Sequence, residues 1–217
     1  MQNLAELRDQ IKMWSERDDI DDTQLNHFIF LTEQDYKQDF FLPANEIKTT
    51  LLTDSEGEAV IPFDYLKAKH LKVLDTQGNL KPVLRKPNEA VTLGGNFQDV
   101  GVPAYFERDY GSFIFAPNIG QDVEIFLTYY AVIPSLIELE SVDPNQINFV
   151  LAVMPTVYLF GALMFLHQYT FNEERASYYE RLYNQAKVNL IEMQAEAEMS
   201  GSTLSVLPSM TDNGAIF

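Results

Sequence analysis

Phe149-Val150-Leu151-Ala152-Val153-Met154-Pro155-Thr156-Val157-Tyr158-Leu159-Phe160-Gly161-Ala162-Leu163-Met164-Phe165-Leu166 is the stretch whose reading decides the fold. Its length and apolarity resemble those of a membrane span. Pro155, Thr156 and Tyr158 interrupt it, and acids flank it at Asp143, Glu173 and Glu174. No Lys or Arg stands close to either end, where a membrane anchor usually carries them. The stretch therefore reads as the central helix of a bundle, apolar most of the way round, with Pro155 ending or kinking its first part.

Outward from it, amphipathic helices lie on both sides. After Asn172-Glu173-Glu174, the residues Ala176, Tyr179, Tyr183, Ala186, Leu190, Met193 and Ala197 alternate at three and four, a heptad seam. Ser200-Gly201-Ser202 is a C-cap region. Before the stretch, Asp143 reads as an N-cap, with Pro144 at the first helical position and Gln146 completing the box. At the N-terminus, Leu4, Leu7, Ile11 and Trp14 form one stripe over residues 3–16. Trp14 is expected to plug the bundle. Asp21 and Gln24 have capping-box spacing, and Leu25, Phe28, Ile29, Thr32 and Tyr36 share a face of a second helix ending near Leu42-Pro43.

Between these helices the period changes to that of strands. Ile47–Thr53, Glu58–Ile61, Leu71–Asp75, Leu80–Arg85, Ala104–Arg108, Ser112–Ala116 and Val123–Val132 are separated by turns such as Asp54-Ser55-Glu56-Gly57 and Asp109-Tyr110-Gly111. The fold class is α+β: a discontinuous helical bundle (1–42 and 142–202), an inserted antiparallel β domain (43–141, a small sandwich or barrel) and an extended C-terminal tail (203–217). That tail has no period, yet Leu204, Val206, Leu207, Met210, Ile216 and Phe217 are spread along it. A tail with apolar anchors and few charges fits one that awaits a partner, and equally a frayed terminus.

The chain of 217 residues has no cysteine and a net charge of −17. Thiolate metal sites, disulfides and cysteine nucleophiles are excluded, and gripping a phosphate backbone is disfavoured. Nucleotide loops and nucleophile elbows are missing. Gly94-Gly95 reads as a turn. His27, His70 and His167 lie in separate segments without metal-ligand spacing. The acidic run Asp18-Asp19-Ile20-Asp21-Asp22 serves capping and solvation, and Arg17 with Asp19 suits a local ion pair. The start Met1-Gln2-Asn3-Leu4 lacks the pattern of a signal peptide. No cofactor, metal or membrane is expected.

Seven short motifs then occur in order: Trp14-x-x-Arg17-x-Asp19, Phe28-Ile29-x-Leu31-x-Glu33, Pro62-x-Asp64-Tyr65-Leu66, Gly101-x-Pro103-x-Tyr105, Leu127-x-Tyr129-Tyr130-x-x-Ile133-Pro134-x-Leu136, Pro155-x-x-Tyr158-Leu159-Phe160-Gly161-Ala162-Leu163 and Ser200-Gly201-Ser202-x-Leu204. This series, over about residues 4–205, resembles the head-to-tail adaptors of short-tailed phages, including the tail-tube-A-like connectors. The resemblance implies a non-enzymatic virion protein. It implies a twelve-fold homo-oligomeric ring in the neck, between portal protein and tail, assembled in the host cytoplasm. Genome DNA would pass through its channel at ejection without specific binding. The C-terminal tail would reach the portal, and the β part would face nozzle or fibre proteins. One departure is visible: Tyr36-Lys37-Gln38-Asp39-Phe40-Phe41 holds a single basic residue where such adaptors often carry an arginine-rich helix end. Two other classes stay open at this point. A tail-borne carbohydrate-active enzyme would need a pocket with two spaced carboxylates. A cytosolic helical binding module would form a one-to-one complex.

Overall fold

The computed structural model describes residues 1–37, 39–86 and 100–199. Among them are six helices and eight strands, and the class is α+β. The chain enters the bundle through α1 (Leu4–Ser15) and α2 (Asp22–Tyr36), and leaves it by a 3-10 turn at Pro43–Asn45. It runs through β1 (Glu46–Leu52), β2 (Ala59–Val60), β3 (Tyr65–Leu74), β4 (Leu80–Pro82), β5 (Leu84–Arg85), β6 (Tyr105–Asp109), β7 (Ser112–Ala116) and β8 (Glu124–Ala131). It returns as α3 (Leu136–Val142), α4 (Phe149–Val153), α5 (Pro155–Tyr169) and α6 (Glu173–Met199).

The helices form where the local chemistry permits. Asn3 caps α1 by accepting from Glu6 N–H, and Asp21 with Gln24 closes both halves of a capping box on α2. Pro155 opens α5, where its missing N–H costs nothing, and Met154 breaks the helix before it. Nine residues of α5 are buried, as befits the centre of the bundle. Five seam positions of α6, from Ala176 to Leu190, are buried, whereas Met193 is half-buried and Ala197 exposed. The 27 residues of α6 span about 40 Å against about 22 Å for the 15 of α5, so the seam outlasts its partner.

Eight strands form two four-stranded sheets, ordered β1-β8-β3-β4 and β2-β7-β6-β5. Leu71, Val73, Ile125, Leu127 and Tyr129 of the first meet Ala59, Phe106, Phe113 and Phe115 of the second in one apolar cluster, which makes a sandwich. A separate cluster, from Leu4 through Leu190, fills the bundle. The β6–β7 hairpin turns through Tyr110-Gly111 with Tyr110 at φ 46°, matching the twist of its strands.

Several expectations are corrected. The second helix ends at Tyr36, and Leu42-Pro43 lies beyond it in a separate turn. Asp143 does not start a helix: it follows the last turn of α3, and its carboxylate accepts from Asn145 N–H in a local turn. Helices have already resumed at Leu136, and the true cap of the next one is Asn148, which accepts from Leu151 N–H. The sheets are not wholly antiparallel, since β5 runs parallel to β6. Strand β3 begins at Tyr65, six residues earlier than expected, with bulges that disrupt the alternation there. The turn at Gly94-Gly95, the C-cap at Ser200-Gly201-Ser202 and the whole tail from Thr203 lie outside the described residues.

Candidate functional site

Three of the sequence motifs, those holding Glu33, Leu136 and Tyr158, meet in space around a buried carboxylate. Glu33 lies on the apolar face of α2 and is fully buried. Its Oε1 accepts from Leu136 N–H at 2.8 Å and from Tyr158 O–H at 3.0 Å. Leu136 N–H is a free first-turn donor of α3, and Ser135 does not cap it. Glu33 therefore caps α3 from another helix, placing negative charge at the positive end of its dipole. Lys37 Nζ stands 4.0 Å from Glu33 Oε2.

Tyr158 is the hub. Besides donating to Glu33, it receives Asn148 Nδ2–H at 2.6 Å and lies 2.5 Å from the Tyr36 hydroxyl. Asn148 also donates to Pro134 O at 2.9 Å. Burial is the first cause that holds both phenols well above the ordinary tyrosine range, and each stays a neutral O–H. Residues from four separate helices are thereby fixed without a reacting group exposed.

The other motif residues make similar bonds. Gly161 leaves room for α2 and α6 together: a Cβ there would come within 2.4 Å of Thr32 Cγ2 and 3.0 Å of Tyr183 Cε2. Tyr183 in turn donates to Asp35, whose carboxylate also takes Lys187. In the sandwich, Tyr129 donates to Asp64 at 2.8 Å and packs beside Tyr65. The phenol of Tyr129 is pushed up to about 12, by burial first and by Asp64 next. Arg17 and Asp19 form a two-bond ion pair at the surface, at 2.5 and 2.6 Å. Among the described residues, several that carry the resemblance bond to one another: Glu33 with Leu136 and Tyr158, Asp64 with Tyr129, and Arg17 with Asp19. A family model described as the SU10 adaptor protein matches residues 2–207.

The chain belongs to the SU10 adaptor protein family.

This SU10-type adaptor is thus a structural protein of phage particles, in a family of phage head–tail adaptors. No curated protein matches it. Its functional surfaces are then the places where it can meet other chains. Trp14 does not plug the bundle: it is 44% exposed and sits edge-on to Phe160 at 6.0 Å. The α1 stripe turns inward at Ser15 instead, one position round the helix. Phe160 stacks on Tyr179, and Tyr179 stacks on buried His167 with rings 3° apart. Burial, with Arg175 and Arg17 nearby, pushes His167 below its usual range. Tyr169 and Phe171 are exposed at the turn into α6.

On the sandwich, the fully exposed ring of Phe63 (102%) lies in the β2–β3 turn. That turn is pinned by Ile61 N–H to Gly111 O and by Val132 N–H to Asp64 O. The same pinning puts it near Tyr110, exposed at the adjoining hairpin. These aromatics escaped the sequence reading because exposure is a tertiary property. Among the described residues no group of His, Asp and Glu could hold a metal ion, and no helix is long and apolar enough to cross a membrane.

Proposed function

We propose that this adaptor builds a ring, twelve-fold in the resembling family, in the neck between portal and tail. Assembly would take place in the host cytoplasm, and the ring would leave a channel through which genome DNA passes unbound and no catalysis occurs. The family match across nearly the whole chain carries this reading. The net charge of −17 supports it, because an acidic channel wall repels phosphates and prevents sticking. Three parts would share the work. The helices (1–42 and 142–202) form the ring body. The β part (43–141) presents Phe63 and Tyr110 to nozzle or fibre proteins. The tail (203–217) docks on the portal through Leu204, Val206, Leu207, Met210, Ile216 and Phe217.

The test is cosedimentation of the purified full chain, and of a chain stopped after Ser202, with portal rings from the same particle. The full chain should decorate the portal as a closed ring visible by electron microscopy. The shortened chain should bind at least tenfold more weakly. A full chain that neither binds portal nor closes into a ring overturns the proposal.

A further inference from the structure

Subunits that each carry −17 repel one another, and a contact that pairs opposite charges offsets part of that repulsion. The charge is unevenly spread. Between residues 46 and 131 lie eight Lys and Arg against twelve Asp and Glu, whereas the rest of the chain holds seven against twenty. The strand register concentrates the cations further. Lys48 of β1 pairs across Thr128 of β8, and Lys72 of β3 across Phe126, so all four point to the outer face of the first sheet. Lys48 and Lys72 border a shallow depression of ≈ 340 Å³ floored by Phe126 and Thr128. Lys67, opposite Tyr130 on the same face, lies over the Phe41 ring at 4.5 Å. Lys48, Lys67 and Lys72 are exposed, and none has an ion-pair partner among the described residues.

A matching surface exists elsewhere on the same chain. On α6 the side away from the buried seam carries Glu192 and Glu196, one turn apart, both exposed and both without an ion-pair partner among the described residues. Two different patches on one chain that complement each other make a heterologous contact, the kind that generates rings. Resting on the ring reading above, we infer that the outer face of the first sheet receives the acidic side of α6 from a second copy. The ammoniums of Lys48, Lys67 and Lys72 meet carboxylates, while Phe126 and Tyr130 supply apolar area between them.

Three variants of the full chain test this by native mass spectrometry alone and by electron microscopy on portal: K48E/K72E, E192K/E196K, and all four changes together. Thermal unfolding checks that each folds. Each double variant should form rings at least tenfold less readily than the parent, the four-fold variant should recover most of the loss, and the parent's assembly should weaken in 0.5 M NaCl. Rings unchanged in K48E/K72E, or no recovery in the four-fold variant, overturn the inference while leaving the ring itself standing. The same holds if K48E/K72E loses only affinity for duplex DNA. A parent chain that forms no ring on or off the portal overturns the ring reading and this contact with it.

Discussion

Gly161 of α5 and Thr32 of α2 approach so closely that a Cβ on the glycine would stand 2.4 Å from Thr32 Cγ2. An alanine is ordinarily worth about 1 kcal/mol over glycine inside a helix. Here overpacking outweighs that gain. Gly161→Ala should destabilise by about 1–2 kcal/mol net, measured as a lower urea midpoint. Adding Thr32→Ala, which removes the opposing methyl, should restore most of it. A neutral or stabilising Gly161→Ala would show that the two helices separate without penalty.

Glu33→Ala leaves Leu136 N–H and Tyr158 O–H without their acceptor inside the bundle. The expected loss is about 3 kcal/mol, because orphaned buried donors keep their desolvation penalty. Tyr158→Phe should cost less, and the double variant less than the sum of the two. Strict additivity in that cycle would contradict a shared network.

Alkali should weaken the fold from one side. Tyr36, Tyr158, Tyr183 and Tyr129 all hold their protons more tightly in the folded chain than an ordinary phenol at 10.0. Below that value both states are protonated and the contribution is fully present. Above it the unfolded chain has lost protons that the folded chain keeps, so stability falls as pH rises. Melting temperatures should be level to about pH 9.5 and drop steeply beyond it. In Tyr129→Phe, the part of that drop that continues towards pH 12 should be reduced. A level profile through pH 11 would refute the sign.

Phe63 contributes nothing to the core, so Phe63→Ser should change stability by less than about 0.5 kcal/mol. Under the proposed function it should still reduce attachment of tail proteins to portal-bound rings, seen as particles with empty necks. Normal tails on Phe63→Ser particles would remove this ring from the contact.

Local patterns were legible where one periodicity ruled. The face of α2 and the seam of α6 up to Leu190 follow from spacing alone, since a helix repeats every 3.6 residues whatever surrounds it. The capping box at Asp21 and Gln24 is equally local. Legibility failed where two local solutions competed. At the end of α1, Trp14 and Ser15 both continue the stripe, and packing chose the smaller side chain. In the first half of β3, Lys67, Ala68 and His70 are weak strand formers that pair because β8 lies alongside. At Asp143 a capping pattern became a turn because α3, capped by Glu33, runs up to Val142 and leaves Asp143 at its C-terminal end.

The sequence by itself determined the class of the molecule: helices, strands, helices again, no cysteine chemistry, and an ordered motif series that led to the adaptor family. Tertiary structure alone decided what those motifs do. Glu33 and Leu136 are 103 residues apart, and no spacing rule can join them; only burial of a carboxylate that must find donors does so. It likewise decided which charges pair inside the subunit and which, such as Lys48 and Glu192, have no ion-pair partner among the described residues, because pairing depends on faces that adjoin only after folding.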